Sequence, residues 1–384
     1  MTTVETTSTS WFSRLGDSFK NIFFGFLFII GAIVLLFWNE GRAVKTEQNL
    51  KEGFSVVVSV SPDKKDFKNE GKLIHFFGMT KSPNLLTDGE FGISASALKM
   101  QRIVEVYQWK EESKSKTVQK LGGGTETTTT YTYSKDWSDK LIDSSNFKEA
   151  EIHQNPSIKL FSDEEWIANK VTVGEYTISE DLLSALSGYE SFTIPQEMFD
   201  AKNTTASSQL QLAGNMIYYQ TSNITTPEIG NTRINYETIP PQDISVIYKQ
   251  SGEMLVPYKT KNGSSISMIQ LGRSTDEEMF KNAQESNKTM TWILRFVGAL
   301  LLFIGFQMML GVLPVVGSVI PFIGNIVGAG IGLVSFLLTI IISMVVIAIA
   351  WITYRPFIAI ILFVIAIAGY VLLMKNSKKL AKKN

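Results

Sequence analysis

The sequence predicts an integral membrane protein with four transmembrane α-helices and a large β-rich α+β extracytoplasmic domain between the first and second spans. Residues Ile22–Trp38 contain no charged side chain, and neither does the much longer stretch from Phe296 to Tyr354. Uninterrupted apolar runs of this length are typical of membrane-spanning helices. The long block between them instead shows the period-two alternation of β-strands.

The composition excludes several classes of protein. The chain has 36 basic and 36 acidic residues, but residues 39–294 have a net charge of −7. An acidic block between apolar ends lacks the basic face of a nucleic-acid binder. With no cysteine and only two histidines, the sequence offers no disulfide framework, no thiolate nucleophile and no Cys-ligated metal. We therefore predict no metal and no cofactor.

The N-terminal region predicts a tail followed by one anchor helix. Residues 1–20 are expected to be cytoplasmic, with Met1–Ser10 lacking regular structure and an amphipathic helix lying on the membrane surface after it. Residues 21–38 form the first span. The residues after Phe37 offer no small-residue cleavage site, so this segment is interpreted as an uncleaved anchor.

The C-terminal region predicts three more spans within residues 292–374. They are expected at Phe296–Leu313, Gly330–Trp351 and Phe357–Met374. The connecting residues 314–329 contain prolines and glycines, yet they are too apolar for an aqueous loop. We expect an interfacial or re-entrant segment there.

Two features of this region are candidate sites. Gly324, Gly328 and Gly332 recur every four residues, a pattern that lets helices pack closely, either within one chain or between chains. Tyr354, Arg355 and Pro356 are predicted to form an interfacial turn.

The Lys-rich tail of residues 375–384 sets the predicted orientation. Positive charge beside a span favours the cytoplasmic side, so the C-terminus is predicted to be cytoplasmic. Four spans then put the N-terminus on the same side and residues 39–291 outside. In a bacterium this corresponds to the inner membrane, with the outer block periplasmic or external, and in a eukaryote the block is lumenal.

The outer block predicts mostly strands, with a few helices. Expected strands are Phe54–Val60, Leu73–Phe77, Ile103–Trp109, Thr125–Tyr133, Asn215–Gln220, Arg233–Thr238, Ser245–Lys249, Glu253–Tyr258 and Ser265–Gln270. Residues 110–124 are predicted to be the polar tip of a long hairpin. Helices are expected to start at Ser162, at Ser179 and at Thr275, each followed by acidic residues.

No motif for chemistry is present: the sequence contains no P-loop, no GxSxG and no HExxH. His75 lies between apolar strand residues and His153 in a polar loop, so both are interpreted as packed or surface side chains. We therefore predict no catalytic residues, and an enzyme is disfavoured.

Several segments resemble the transmembrane protein 43 (LUMA) family. They occur in order along almost the whole chain, at Trp38–Thr46, Asn69–His75, Leu98–Arg102, Glu105–Trp109, Tyr131–Trp137, Asn146–Phe147, Asn155–Ser157, Gly252–Lys261 and Tyr354–Pro356. The resemblance implies four spans, a large lumenal domain and cytosolic termini. Animal members are associated with the endoplasmic reticulum and inner nuclear membrane, where they self-associate and bind nuclear-envelope proteins such as emerin and lamins, so the resemblance implies that location for a eukaryotic chain. The absence of cysteine and a short Thr/Ser leader favour a bacterial member, in which only self-association and membrane organisation carry over.

The segment after the first span is predicted to join the outer domain to the membrane. Glu40 and Arg42 are expected to pair, Gly41 to allow a sharp exit, and Lys45 to reach lipid phosphates, with Asn39 beside them. A plain interfacial anchor is the alternative for these residues.

The favoured function is a non-enzymatic oligomeric scaffold that organises a membrane region or protein complex. Its expected partners are the lipid bilayer, further copies of the chain and other membrane proteins. The alternative is a pore or channel component formed by the C-terminal spans, with Gln307 and Gly324–Gly332 lining it.

Overall fold

The computed structural model describes residues 2–203, 209–221, 223–252, 254–356 and 360. This part of the chain divides into two compact units. A β-rich unit contains the residues up to 5 together with 51–115 and 129–281. A helical unit contains residues 6–50, 116–128 and those from 282 onward.

The described helices are few, and three of them are very long. They are α1 (Trp11–Val56), α2 (Glu180–Ser184), α3 (Gln196–Asn203), α4 (Asp276–Leu310), α5 (Val312–Gly317) and α6 (Pro321–Tyr354). Short 3₁₀ turns occur at Phe67–Asn69 and Ser144–Asn146.

The described strands are mostly short, apart from one long hairpin. They are β1 (Thr2–Thr9), β2 (Val58–Ser59), β3 (Leu73–Lys81), β4 (Leu86–Asp88), β5 (Ile93–Ala95), β6 (Lys99–Gln119), β7 (Thr125–Ser138), β8 (Glu164–Ile167), β9 (Val171–Val173), β10 (Tyr176–Ile178), β11 (Glu190–Ser191), β12 (Leu210–Ala213), β13 (Met216–Tyr219), β14 (Thr232–Ile239), β15 (Asp243–Ser251), β16 (Met254–Val256), β17 (Tyr258–Lys259), β18 (Ser265–Ile266) and β19 (Met268–Leu271).

Two larger sheets organise these strands. One has the order β1-β7-β6-β14-β13-β12, with β8 added to β6 and β11 to β14. The other has the order β10-β9-β3-β15-β16, with β19 on β15 and β2 on β3. Its central pair is antiparallel, from Leu73 opposite Lys249 to Met79 opposite Asp243.

The core of the β-rich unit is apolar and encloses the guanidinium of Arg102. Side chains of both sheets, such as Ile74, Val104 and Ile234, belong to one buried cluster. Arg102 is 1 % exposed at its side chain and lies 2.6 Å from the Asp88 carboxylate. Burial by itself would lower the pKa of Arg102, but Asp88, together with Tyr236 and Glu90, outweighs burial and the pKa is raised. Arg102 is therefore charged, and Asp88 is the partner that such a buried charge needs.

Three described segments are long and apolar enough to cross a membrane. They are Trp11–Val56, Asp276–Gly317 and Pro321–Tyr354. They contain the first three predicted spans. The fourth, Phe357–Met374, and the Lys-rich tail lie outside the described residues except for residue 360. Residues 314–329, expected as an interfacial or re-entrant segment, form the end of α5 and the start of α6.

The first helix is longer at both ends than the sequence predicted. The surface helix expected before the span is continuous with it, and residues 2–9 form a strand beside β7 instead of lacking regular structure. The expected strand Phe54–Val60 was wrong, because α1 continues to Val56. In the β-rich unit, the ring of Phe54 packs on that of Phe280, which favours helix there.

The helix expected at Ser162 was also wrong, since residues 164–167 form β8 on the edge of β6. Its acidic residues serve tertiary contacts instead of a helical first turn: Asp163 accepts the backbone N–H of Val104, and Glu165 lies 3.1 Å from Lys99. The helix starts at Ser179 and Thr275 were confirmed, each with the side-chain cap that the sequence indicates.

The long hairpin has a shorter tip than predicted. Residues 110–119 belong to β6, which leaves only residues 120–124 as the turn. Hydroxyl pairs join the two strands, Ser115 with Thr129 and Thr117 with Thr127, each at 2.9 Å. Such cross-strand pairs extend a ladder that apolar alternation alone does not mark.

Candidate functional site

The predicted domain–membrane joint lies in the part of α1 that belongs to the helical unit. Asn39 and Glu40 are 0 % and 1 % exposed, whereas Lys45 is exposed. No sharp exit occurs at Gly41, because the helix continues through it. The first four residues of this segment, 39–42, therefore contact other helices, whereas the side chain of Lys45 is exposed.

Glu40 is the centre of this site. Arg295 on α4 donates two hydrogen bonds to its carboxylate, from Nε at 2.6 Å and from Nη2 at 2.9 Å. The indole Nε1 of Trp351 on α6 donates a third, at 2.8 Å. A bidentate guanidinium with one further donor satisfies a buried carboxylate. Glu40 therefore joins three helices and pairs with Arg295 in place of the expected Arg42.

Arg42 is held by neutral groups of α1 and α4. Its guanidinium donates to Asn287 Oδ1 at 2.9 Å and to Thr291 Oγ1 at 3.0 Å. Asn39 supplies a further acceptor to Arg42 at 3.2 Å and donates its own amide to the Thr291 carbonyl at 3.0 Å. We call the seven residues that make these contacts the polar cluster: Asn39, Glu40, Arg42, Asn287, Thr291, Arg295 and Trp351.

The residues of the predicted interfacial turn, Tyr354–Pro356, lie next to the segment of α1 that contains Gly41. The ring of Tyr354 covers Gly41 so closely that a Cβ on Gly41 would lie 2.6 Å from the ring carbon Cζ. Arg355 ends α6 and donates to the Glu47 carboxylate at 2.8 Å. Pro356 follows, exposed. Gly41 is thus needed for close approach of a ring, not for a bend in the chain.

Helices α1 and α4 pack along a seam of small residues. A Cβ at Gly25 would lie 2.7 Å from the Gly305 carbonyl oxygen, and one at Gly298 would lie 2.6 Å from Leu36. Gly25, Ala32 and Asn39 are seven residues apart, as are Thr291, Gly298 and Gly305. Small residues at a seven-residue repeat let two backbones stay in contact over several turns.

The predicted glycine face of α6 packs more loosely. Gly324 is buried against Ser318, to which a Cβ would approach within 2.8 Å. A Cβ at Gly328 would meet only Pro314 at 3.9 Å, and one at Gly332 only Gln307 at 3.7 Å. The structure thus brings Gly324 into tight contact with the end of α5, while the other two make ordinary contacts.

The two histidines are packed in the β-rich unit. His75 lies between Ser59 Oγ and the Ser274 carbonyl, each at 2.9 Å from a ring nitrogen. Burial lowers the pKa of His75. His153 stacks on the ring of Tyr133 at 3.8 Å. Among the described residues, no group of three or more His, Asp or Glu side chains could hold a metal ion.

Sequence reasoning missed the partners that complete the site. Arg295, Trp351, Asn287 and Thr291 carry no local signal, because their role depends on a partner more than two hundred residues away. The glycines of the α1–α4 seam do carry a signal, the seven-residue step shared by two apolar segments.

The Glu40 carboxylate should be a major determinant of stability. Glu40→Ala leaves the Arg295 guanidinium and the Trp351 indole without their acceptor, and we expect a loss of about 3 kcal/mol. Thermal unfolding of the full chain in detergent measures it. Glu47→Ala is the control, since the Glu47 carboxylate and the guanidinium of its partner Arg355 are both about a third exposed and the cost should stay below about 1 kcal/mol. Equal effects of the two variants would contradict the assignment.

The tight helix contact should be at Gly305 and not at Gly328. A leucine at Gly305 would collide with Ile29 Cγ1 at 2.7 Å and with the Gly25 carbonyl at 2.9 Å, and overpacking of this kind costs about 2 kcal/mol. Gly328→Leu has room for its Cβ and serves as the matched control. We expect Gly305→Leu to lower the melting temperature in detergent by clearly more than Gly328→Leu. The reverse order would place the critical contact on α6.

Comparisons with known proteins give one consistent result. The family model described as Transmembrane protein 43 matches residues 106–356. Transmembrane protein 43 of Homo sapiens is 29% identical over 400 aligned positions, which cover 99% of this chain and 96% of the human protein. The protein of the same name from Mus musculus is 29% identical over 89% of this chain and 86% of its own. The Transmembrane protein 43 homolog of Drosophila melanogaster is 28% identical over 92% and 94%. No solved structure matches.

The family match covers well over half of the chain and includes most of the β-rich unit, α4, α5 and α6. The curated relatives extend the likeness across α1, and the described chain has three helices suited to a bilayer. This chain is a membrane protein that belongs to the transmembrane protein 43 family.

Proposed function

We propose that this chain is a non-enzymatic membrane scaffold that oligomerises and organises a region of the membrane. The observation that carries the proposal is the buried ion pair of Glu40 and Arg295 with Trp351 as a third member. It fixes α1, α4 and α6 against one another. A rigid bundle of this kind suits a protein that holds others in place.

The residues of the polar cluster serve helix packing. Charges on the described spans are confined to their ends, and the mid-span hydroxyls of Ser335 and Thr339 lie on the buried face of α6. Transporters place ionisable residues along a path through the membrane. The bundle described here therefore favours a structural role over coupled transport.

The β-rich unit offers a surface for self-association. Ile152, Ile158 and Leu160 are 61 %, 67 % and 51 % exposed on one connecting segment, although apolar side chains of this size are normally buried. Clustered exposed apolar residues mark contact sites between proteins. We assign this surface to a second copy of the chain, with the bilayer and other membrane proteins as further partners.

A pore formed by the C-terminal spans is the second candidate. It rests on the polar side chains within these spans, such as Gln307, Ser335 and Ser343. A reconstituted scaffold should give no ion flux, whereas a pore should conduct. Flux measurement on wild-type vesicles separates the two functions.

The scaffold proposal predicts that the exposed apolar surface holds copies together. In a native-mass measurement in lipid nanodiscs, wild type should be oligomeric, and Ile152→Ser with Ile158→Ser should lower the mass without lowering the melting temperature. Leu85→Ser is the control, since Leu85 is 63 % exposed elsewhere in the β-rich unit. A monomeric wild type, or flux through wild-type vesicles, would overturn the proposal.

The predicted membrane topology is testable because the chain has no cysteine. In intact cells, an impermeant thiol reagent should label Ser113→Cys and leave Ser377→Cys unlabelled. Labelling of Ser377→Cys, or protection of Ser113→Cys, would refute the topology.

A third variant, Ser8→Cys, reports on the N-terminal strand. The sheet order pairs β1 with β7, whereas the predicted topology puts these two strands on opposite sides. If the pairing persists in the membrane, Ser8→Cys is labelled together with Ser113→Cys. If the predicted topology holds, it is protected together with Ser377→Cys.

A further inference from the structure

The helical unit contains a cavity where α1 faces α4 and α5. Its volume is about 340 Å³, and it is lined by Ser18, Asn21, Ile304, Gln307, Met308, Gly311 and Val315. Ser18, Asn21 and Gln307 contribute hydroxyl or amide groups to its wall, and the rest of the wall is apolar. It lies at the end of the bundle where α1 begins, away from the polar cluster.

The wall of the cavity is created by a break in α4. The helix ends at Leu310, Gly311 follows, and Pro314 stands in the short helix α5. Trp11 fixes this short helix, because its indole Nε1 donates to the Val315 carbonyl at 2.8 Å. The opening between α1 and α5 is therefore part of a held structure.

The depth of the cavity matches one boundary of the hydrocarbon core. Asn21 precedes the charge-free run of α1 and Asn39 follows it, which separates the two by about 27 Å along a helix. The hydrocarbon core of a bilayer is about 30 Å thick. If Asn39 lies at one boundary, Asn21 and the facing Gln307 lie at the other, where ester carbonyls and phosphates of lipids are found.

Two amides at this depth need acceptors. No hydrogen bond is made by the Asn21 or Gln307 side chain to any residue that the structure describes. An amide without a partner is costly beside hydrocarbon. The hydroxyl of Ser18 is already used, since it donates to the Arg14 carbonyl at 2.8 Å. Within the described part of the chain, the donors without a partner at this cavity are thus the two amide groups.

We propose that this cavity binds a glycerophospholipid, with the amides of Asn21 and Gln307 donating to its ester or phosphate oxygens and an acyl chain beside Ile304 and Met308. The polar part of the cavity meets the polar part of the lipid at the same depth. Lys20 is exposed and next to Asn21 along the chain, and its ammonium lies 3.6 Å from the Asp17 carboxylate. The bound lipid completes the bundle at its broken end, which goes beyond the scaffold role and does not depend on it.

Two pairs of variants test the site. Asn21→Leu with Gln307→Leu removes the donors, and Asn325→Leu is the matched control, because Asn325 is an exposed amide on α6 outside the cavity. Ile304→Trp fills the cavity, and Leu300→Trp, one turn earlier and 46 % exposed, adds the same bulk on a lipid-facing position.

The measurement is native mass spectrometry of the delipidated full chain titrated with dioleoylphosphatidylglycerol and, separately, dioleoylphosphatidylcholine. A photoactivatable phosphatidylglycerol in nanodiscs maps the contact. We expect wild type, Asn325→Leu and Leu300→Trp to retain a lipid that crosslinks to residues around 304–311. The double amide variant and Ile304→Trp should lose it at unchanged melting temperature.

Three outcomes would overturn the proposal. Retention of the same lipid by all variants would show that the cavity is not the site. Failure of wild type to retain any lipid would show the same. The third outcome uses a photoreactive amino acid in place of Ile304. If it crosslinks to protein and not to lipid, residues 357–374 or a second copy of the chain cover the cavity.

Discussion

The burial of one carboxylate constrains the arrangement of the whole helical unit. Glu40 is 1 % exposed, and an ionised group in such a place is tolerated only with a cation and full hydrogen bonding. Arg295 and Trp351 supply both, and each comes from a different helix. Satisfying Glu40 therefore sets the register of α4 and of α6 against α1 in one step.

The packing of α1 on α4 agrees with that register. Gly25 faces Gly305 at one end of the seam, and Asn39 faces Thr291 nearer the other. One helical turn further along the seam, the side chain of Asn287 donates to the Ala43 carbonyl at 3.0 Å. Since lipid tails provide no hydrophobic drive for helix association, close backbone contact and interhelical hydrogen bonds must provide it. Here both act along a single line of residues.

The sequence predicted the parts of the structure that depend on local pattern. The apolar run at Ile22–Trp38 lies within α1, and Thr275 caps α4 as its acidic neighbours indicate. The sequence predicted a strand at Phe54–Val60, where α1 continues to Val56, and a helix from Ser162, where β8 forms. Both predictions were wrong because tertiary contacts outweighed local preference. At β8, the pairing with β6 and the ion pairs to its cations outweighed a good helix-start pattern.

The candidate site shows the same division. Asn39 and Glu40 stood out because polar residues directly follow a span, and Tyr354–Arg355 stood out for the same reason. That these two segments form one site could not be predicted, because only the fold brings Tyr354 onto Gly41. The α1–α4 seam, in contrast, has a signal in the sequence, namely two matching seven-residue repeats. These repeats mark closer helix contacts than the four-residue glycine repeat of α6 does.

The two ends of the helical unit differ in how their polar side chains are paired. At the Glu40 end, every strong polar group of the polar cluster has a protein partner, and the helices run on without a break. At the Gln307 end, α4 is interrupted at Gly311, a short helix is inserted, and two amides are left without described partners. A break and donors without described partners cost stability, so a ligand that satisfies these donors would stabilise this end of the bundle. Ester and phosphate oxygens of lipids occur at the depth inferred for the cavity, which makes a bound lipid a source of that stabilisation.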